Sequence, residues 1–331
     1  MSALEITPFT IELLGNNHEA DFSDLLPAAT RTIDDELIVP STSDEVLEFL
    51  GKDVLVHKLN KIHKQLWMAG RPMPPRHLCY QIALSRDVVL SEEMDLHLVW
   101  KAKRIYIKPL PRYLLAAGFW NRYILSGSPD DAQSFAQPTM IAACAKGFLL
   151  SYCALITYES DFKRARDIGL LPSGIEWKQW RTWVAQVMHN CPYKSVDRRF
   201  WYGELRLSRL NMIYRWQKGY LLRGYTHVGA PSDYTEFLRE NFSALVVGLG
   251  FMVVILTAMQ VGLATEHLGR SVSFQTASWG FTVFSIVTSL AAFVTIFVTF
   301  LAAFATNWMH AKRYEKKRMA FMDVHRQENQ P

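Results

Sequence analysis

The sequence predicts an α+β domain, mostly helical with a small antiparallel hairpin or sheet, followed by a C-terminal hairpin of two transmembrane helices. Three observations predict it. Two runs near the C-terminus, 242–264 and 279–306, hold 23 and 28 residues without a charge. At about 1.5 Å of helical rise per residue they reach roughly 35 and 42 Å, against a hydrocarbon core of about 30 Å. Apolar residues alternate with period two between 78 and 107, and recur every three or four residues on either side. The charge is also divided. Residues 1–50 carry 11 acidic side chains and one basic one, whereas the other 281 carry 35 basic and 20 acidic, so the net +5 conceals an acidic front and a basic remainder. Half the residues are apolar and 13% aromatic, which excludes a disordered or fibrous chain.

Residues 1–42 are acidic and show no sustained periodicity, so a mobile tail is expected. Its apolar residues Ile6, Phe9, Ile11, Leu13 and Leu14 are the alternative, a short docking segment. A domain is expected over 43–231. Thr42 and Glu45 have the spacing of a capping box, and Asp53 is placed to cap a second helix whose face is Leu55, Leu59, Ile62 and Leu66. Three prolines in Gly70–Arg76 end it in an extended connector. Leu78, Tyr80, Ile82 and Leu84 read as a strand. Leu96, Leu98, Trp100 and then Ile105–Ile107 read as a β-hairpin turning through Lys101–Arg104. Helices are expected at about 112–125, 139–166, 175–189 and 202–217. The apolar run Met140–Tyr158 contains Lys146, which is costly in a bilayer, so it reads as the central helix of the domain.

The hairpin occupies 232–306, with a short loop at 265–278 and a basic tail at 307–331. Basic residues flank both spans while the loop holds only Arg270, which places both termini in the cytosol. No basic, apolar leader opens the chain, so the first span is expected to act as the targeting signal. The four cysteines then face the cytosol, reduced. Within the spans, Gly248, Gly262, Ser285, Ser289 and Gln260 are the residues expected to pack helices together, within one hairpin or between copies in a homo-oligomer.

Chemical motifs are sparse. The chain has no phosphate-binding G-x-x-x-x-G-K-[ST] loop, no G-x-S-x-G elbow and no His-Glu-x-x-His, so no cofactor or metal is expected. Asp95 and His97 would share one face of a strand, as a general base and its orienting acid do; a structural Asp–His pair is the plainer reading. Tyr193–Tyr225 mixes eight basic with eight aromatic side chains. Single-stranded nucleic acid is one partner for such a segment. A position close to the bilayer favours anionic phospholipid head groups instead, contacted by Arg198, Arg199, Trp201, Arg206, Arg209, Arg215, Trp216, Lys218 and Arg223.

Several strings resemble a family. His63–Arg76 (HKQLWMAGRPMPPR), Met94–Trp100 (MDLHLVW), Ile107–Arg112, Glu159–Phe162, Phe200–Asn211 (FWYGELRLSRLN) and Leu256–Thr265 resemble a fungal family of two-span membrane proteins containing a domain of unknown function. The resemblance runs from about 43 to 306. It implies a fungal source and the two-span topology, and it implies no activity. The order of a large N-terminal domain, two spans and a basic tail also resembles the CorA-like magnesium channels. Their Gly-Met-Asn motif is missing, because Ala258–Gly262 reads AMQVG. The expected function is a membrane-anchored interaction module on anionic lipid. The alternatives are an oligomeric ion channel and a membrane-tethered enzyme using Asp95 and His97.

Overall fold

Thr42 opens the first helix as its spacing anticipates. In a computed structural model of the chain, which describes residues 7–14, 22–31, 36–125, 136–218, 225 and 234–328, its side chain accepts from the Glu45 amide and the Glu45 carboxylate returns to the Thr42 amide. This helix, α1, spans Ser43–Asp53. The expected second helix is broken into short turns, His57–Asn60, His63–Gln65 and Leu66–Ala69. Leu55, Leu59, Ile62 and Leu66 are nevertheless all buried. Among the described residues Asp53 caps no helix; its carboxylate takes the Lys108 ammonium at 2.9 Å and the Tyr113 hydroxyl.

The chain forms two units, Met1–Val228 and Gly229–Pro331. In the first, the expected strand over Leu78–Leu84 is instead a helix, α2, Leu78–Ala83. Leu78 and Gln81, three apart, are buried while Tyr80, Ile82 and Leu84 are exposed. The alternation of apolar residues therefore had no core face to follow. Strands β1 (Asp87–Leu90), β2 (Val99–Lys101), β3 (Arg104–Ile107) and β4 (Leu205–Arg206) form one sheet in the order β1-β3-β2-β4. The β2–β3 hairpin is antiparallel as expected, and Lys101 pairs with Arg104 across the turn. The sheet itself is mixed, because β1 runs parallel to β3 and β4 parallel to β2. A separate two-residue ladder joins Thr30–Arg31 to Leu37–Ile38.

Four further helices cover the sheet or complete the unit: α3 (Ala136–Leu155), α4 (Glu159–Asp167), α5 (Trp177–Asn190) and α6 (Leu207–Lys218). The run expected as one helix through 166 bends by 114° between α3 and α4. Ile141, Cys144, Ala145, Lys146, Phe148, Leu149, Tyr152 and Leu155 of α3 are buried, which makes it the core helix of the unit. The stretch expected as a helix from 112 becomes a 3₁₀ turn, one α turn and a π turn in succession.

The acidic front is not uniformly a tail. Phe9 is fully buried, edge-on to Trp120 at 6.4 Å and against Trp183 at 5.6 Å. Gln186 on α5 accepts from the Thr10 and Ile11 amides, and Asn190 donates to the Pro8 carbonyl. Residues 7–14 are thus docked on α5, the alternative that apolar spacing left open. Leu13, Phe22 and Leu25 are buried as well, so the core of the unit begins well before 43.

The second unit contains α7 (Tyr234–Leu263), a single turn at Glu266–Gly269, and α8 (Val272–Glu328). Val246–Leu263 and Val272–Val298 are long and apolar enough to cross a membrane. The connection is shorter than the expected 265–278, because α8 starts at Val272; Val272–Ser278 is polar in part but carries no helix breaker. Gly262 packs against Phe274 and Leu268. Ser285 is buried and Ser289 returns its hydroxyl to the Ser285 carbonyl, whereas Gly248 faces open space and Gln260 is exposed.

Candidate functional site

Leu98 decides the fate of the Asp95–His97 pair. Its backbone is left-handed, with φ of 58°, and Met94–Leu96 is a 3₁₀ turn rather than a strand. The alternation that would align the two side chains is therefore absent. His97 is buried, and its Nδ1 accepts from the Lys108 amide at 3.2 Å. Nε2 consequently carries the proton and donates to the Ser151 hydroxyl at 2.8 Å, which donates on to the Phe148 carbonyl. Burial, then the charges of Arg199 and Lys108, push the imidazole pKa well below its ordinary value. His97 is a neutral core histidine stacked on Tyr152. Asp95 is mostly buried, its Oδ1 has no partner among the described residues, and burial raises its carboxyl pKa.

The basic–aromatic segment separates into inward and outward residues. Arg199 contradicts its expected role, being buried with its guanidinium donating to the carbonyls of Tyr202 and His97. It holds the Leu98 turn against the 3₁₀ turn Arg198–Trp201. Arg198, Trp201, Arg206 and Arg209 are exposed. The Trp201 indole donates to the Tyr193 carbonyl at 3.0 Å. The side chains of Arg215, Trp216 and Lys218, and Arg223 altogether, lie outside the described residues.

An open cleft of about 520 Å³ lies where the proline-rich connector meets β4. It is lined by Trp67, Gly70, Arg71, Met73, Arg76 and Trp100 on one side of the fold, and by Glu204, Arg206 and Arg209 on the other. Two glycines permit that approach. Gly70 bridges Leu205, and a Cβ there would overlap the Glu204 carbonyl. Gly203 donates to the Met73 carbonyl at 2.8 Å, and a Cβ there would overlap Pro75 and Met73. The floor is an ion network. Glu204 accepts from Arg76 Nε (2.9 Å), Arg76 Nη2 (2.8 Å), Arg86 Nη1 (2.6 Å) and Gln81 Nε2 (2.7 Å). Burial works against its charge, but these donors outweigh it and hold the carboxyl at about 2.

Trp100 forms the wall. As the register partner of Arg206 it receives that guanidinium 5.1 Å from its ring centroid, and the Arg86 guanidinium lies 4.2 Å away. Arg209 gives one N–H to the Met68 carbonyl. Among the described residues, Arg71, Arg206 and Arg209 pair with no carboxylate.

Three of the strings that carry the sequence resemblance, 63–76, 94–100 and 200–211, each supply residues to this one cleft. A profile described as a family of unknown function, DUF6601, matches residues 46–289. The chain belongs to that family. No curated protein and no solved structure matches the chain. The DUF6601 match takes in every residue of the cleft and ends inside α8. Sequence reasoning singled out Arg206 and Arg209 but passed over Trp67, Arg71, Arg76, Trp100 and Glu204. The strings that carry the resemblance were the available signal; their convergence was not.

One further cluster escaped the sequence. The buried Asp161 takes the Cys79 and Tyr158 amides at 2.8 and 2.9 Å, and its Oδ1 lies 3.2 Å from His77 Nδ1. Burial opposes the charge, but these donors prevail and lower the carboxyl pKa. The carboxylate ties the starts of α2 and α4 together. Among the described residues no three His, Cys, Asp or Glu side chains converge to hold a metal.

Proposed function

We propose that this DUF6601 protein is a membrane-anchored domain, with both termini cytosolic, whose basic and aromatic surface engages anionic lipid. The observation that carries the reading is the outward exposure of Arg198, Trp201, Arg206 and Arg209 within twelve residues of sequence. Arg209 precedes the start of α7 by 25 residues, so this surface is tethered close to the first apolar helix in sequence. Each cation near an anionic leaflet contributes about 1 kcal/mol, and exposed tryptophan favours the interface. The test is hydrogen exchange on the full chain in nanodiscs. Phosphatidylserine nanodiscs should slow exchange at 193–201 relative to pure phosphatidylcholine at low salt, with the difference shrinking at high salt. Equal exchange in both lipids removes the reading.

A second reading is an oligomeric channel, favoured by the exposure of Gln260 within the charge-free stretch Val246–Leu263 and by the open space at Gly248. Two helices cannot enclose a pore, so it requires several chains. A monomeric mass in mild detergent by light scattering rejects it.

A further inference from the structure

We propose that the arginine–tryptophan cleft is a binding site for an organic phosphate monoester. This rests on the lipid reading only where the ester is a lipid head group. The chemistry follows from the donors left over once the internal bonds are made.

Among the described residues Glu204 is the single acidic side chain in the lining, and it is already saturated by Arg76, Arg86 and Gln81. It organises the floor rather than repelling an incoming anion. Arg71, Arg206 and Arg209 remain, three guanidinium groups on one cleft with N–H donors not committed to any described carboxylate. A carboxylate ligand brings two oxygens and a single negative charge, which would leave three guanidinium groups in charge excess. Three forks suit an anion with three terminal oxygens and a charge approaching −2, which is a phosphate monoester.

Size and surface define the rest of the ligand. A cleft of about 520 Å³ falls within the roughly 300–1,000 Å³ of small-molecule sites and is far larger than a phosphate ion alone. Trp67, two-thirds exposed, and Met73 supply an apolar lip beside the arginines. Large apolar side chains left open beside unpaired cations suit an ester whose organic part rests on the lip while its phosphate enters. Two of the three arginines are positioned in advance. Arg206 is set by the Trp100 ring, and Arg209 by its bond to Met68, so little side-chain freedom is lost on binding.

The same chemistry is offered by a soluble ester and by a phosphatidic acid head group, and the test separates them. The full chain in phosphatidylcholine nanodiscs is titrated with glycerol 3-phosphate, and in parallel placed in nanodiscs containing phosphatidic acid. Hydrogen exchange is followed at 67–76 and 203–209. Protection by glycerol 3-phosphate identifies a soluble ester, and protection by phosphatidic acid alone identifies the head group. Arg71→Gln and Arg206→Gln should each weaken binding by about tenfold or more, while Arg181→Gln, exposed on α5 and part of neither surface, should leave it unchanged. The Arg71 side chain is exposed and makes no hydrogen bond among the described residues, and its carbonyl bond to the Met73 amide is kept by glutamine, so the variant reports on the ligand rather than on folding. The site is overturned if neither probe protects the cleft, or if Arg71→Gln binds as the parent does. The lipid reading is scored separately, at 193–201 in phosphatidylserine without a soluble probe. Loss of that signal with retained glycerol 3-phosphate protection leaves the cleft standing alone.

Discussion

Glu204 and Arg76 meet as two parallel hydrogen bonds, Nε to Oε1 at 2.9 Å and Nη2 to Oε2 at 2.8 Å, joining the proline-rich connector to the edge of the sheet across 128 residues. The pair is backed by Arg86 at 2.6 Å, and the Glu204 side chain is only 10% exposed. Removing the carboxylate would leave two guanidinium groups facing each other. Glu204→Gln is therefore expected to cost about 3 kcal/mol at neutral pH. Because the folded carboxyl lies near 2 and its ordinary value is 4.5, the parent should lose this contribution as pH falls from about 4.5 toward 2. Denaturant melts of parent and variant at pH 7 and pH 3 check both statements, since the gap between them should narrow at the lower pH.

His97 gives a pH signature of the same sign in a higher pH range. Its folded pKa lies well below the ordinary 6.5, so the unfolded chain binds a proton more readily. Stability from this residue is present above pH 6.5 and is lost as pH drops below it. His97→Ala should cost roughly 2–4 kcal/mol at pH 7.5, by opening a cavity and orphaning the Lys108 amide. The cost should shrink toward pH 5. Thermal midpoints across that range decide it, and a pH-independent difference would mean that the imidazole is not held neutral.

Phe9 tests how far the folded unit extends toward the N-terminus. Truncation to alanine should destabilise by about 3–5 kcal/mol, as for a large aromatic side chain in a core. Leu37→Ala, at a position 66% exposed, should stay within about 0.5 kcal/mol. If the two variants melt alike, residues 7–14 do not dock.

Two glycines of α7 should part company. Gly262→Leu places a side chain into Phe274 and should disturb the hairpin, read as a lower melting point in detergent. Gly248→Leu meets open space and should leave the melting point of a single chain unchanged. A change in particle mass caused by Gly248→Leu alone would place that face between subunits.

The legible parts of the fold were those governed by near neighbours. Thr42 and Glu45 are three residues apart, and the β2–β3 hairpin closes through a tight turn; both were readable. The apolar faces of α3 and of the two long helices were readable for the same reason. The Leu78–Leu84 run was not, since an alternation of apolar residues predicts a strand only when one face meets a core, and here the helical partner of Leu78 is a polar one, Gln81. Leu98 was equally opaque, because nothing about a leucine announces a left-handed backbone. The cleft depends on pairs such as Trp100 with Arg206 and Arg76 with Glu204, more than a hundred residues apart. Their residue types were visible, and their meeting was not.

Helix α8 continues for 22 residues beyond Thr306, the end of the charge-free run, to Glu328. No proline interrupts it, and its one glycine, Gly280, lies near its start. At about 1.5 Å per residue the extension is a rod of roughly 33 Å. A rod without a hinge couples its two ends: turning the apolar part about its axis sweeps Lys312, Arg313 and Lys316 through the same angle. The basic end is therefore less a loose tether than a shaft, whose orientation reports the rotation of the helix on which it is carried.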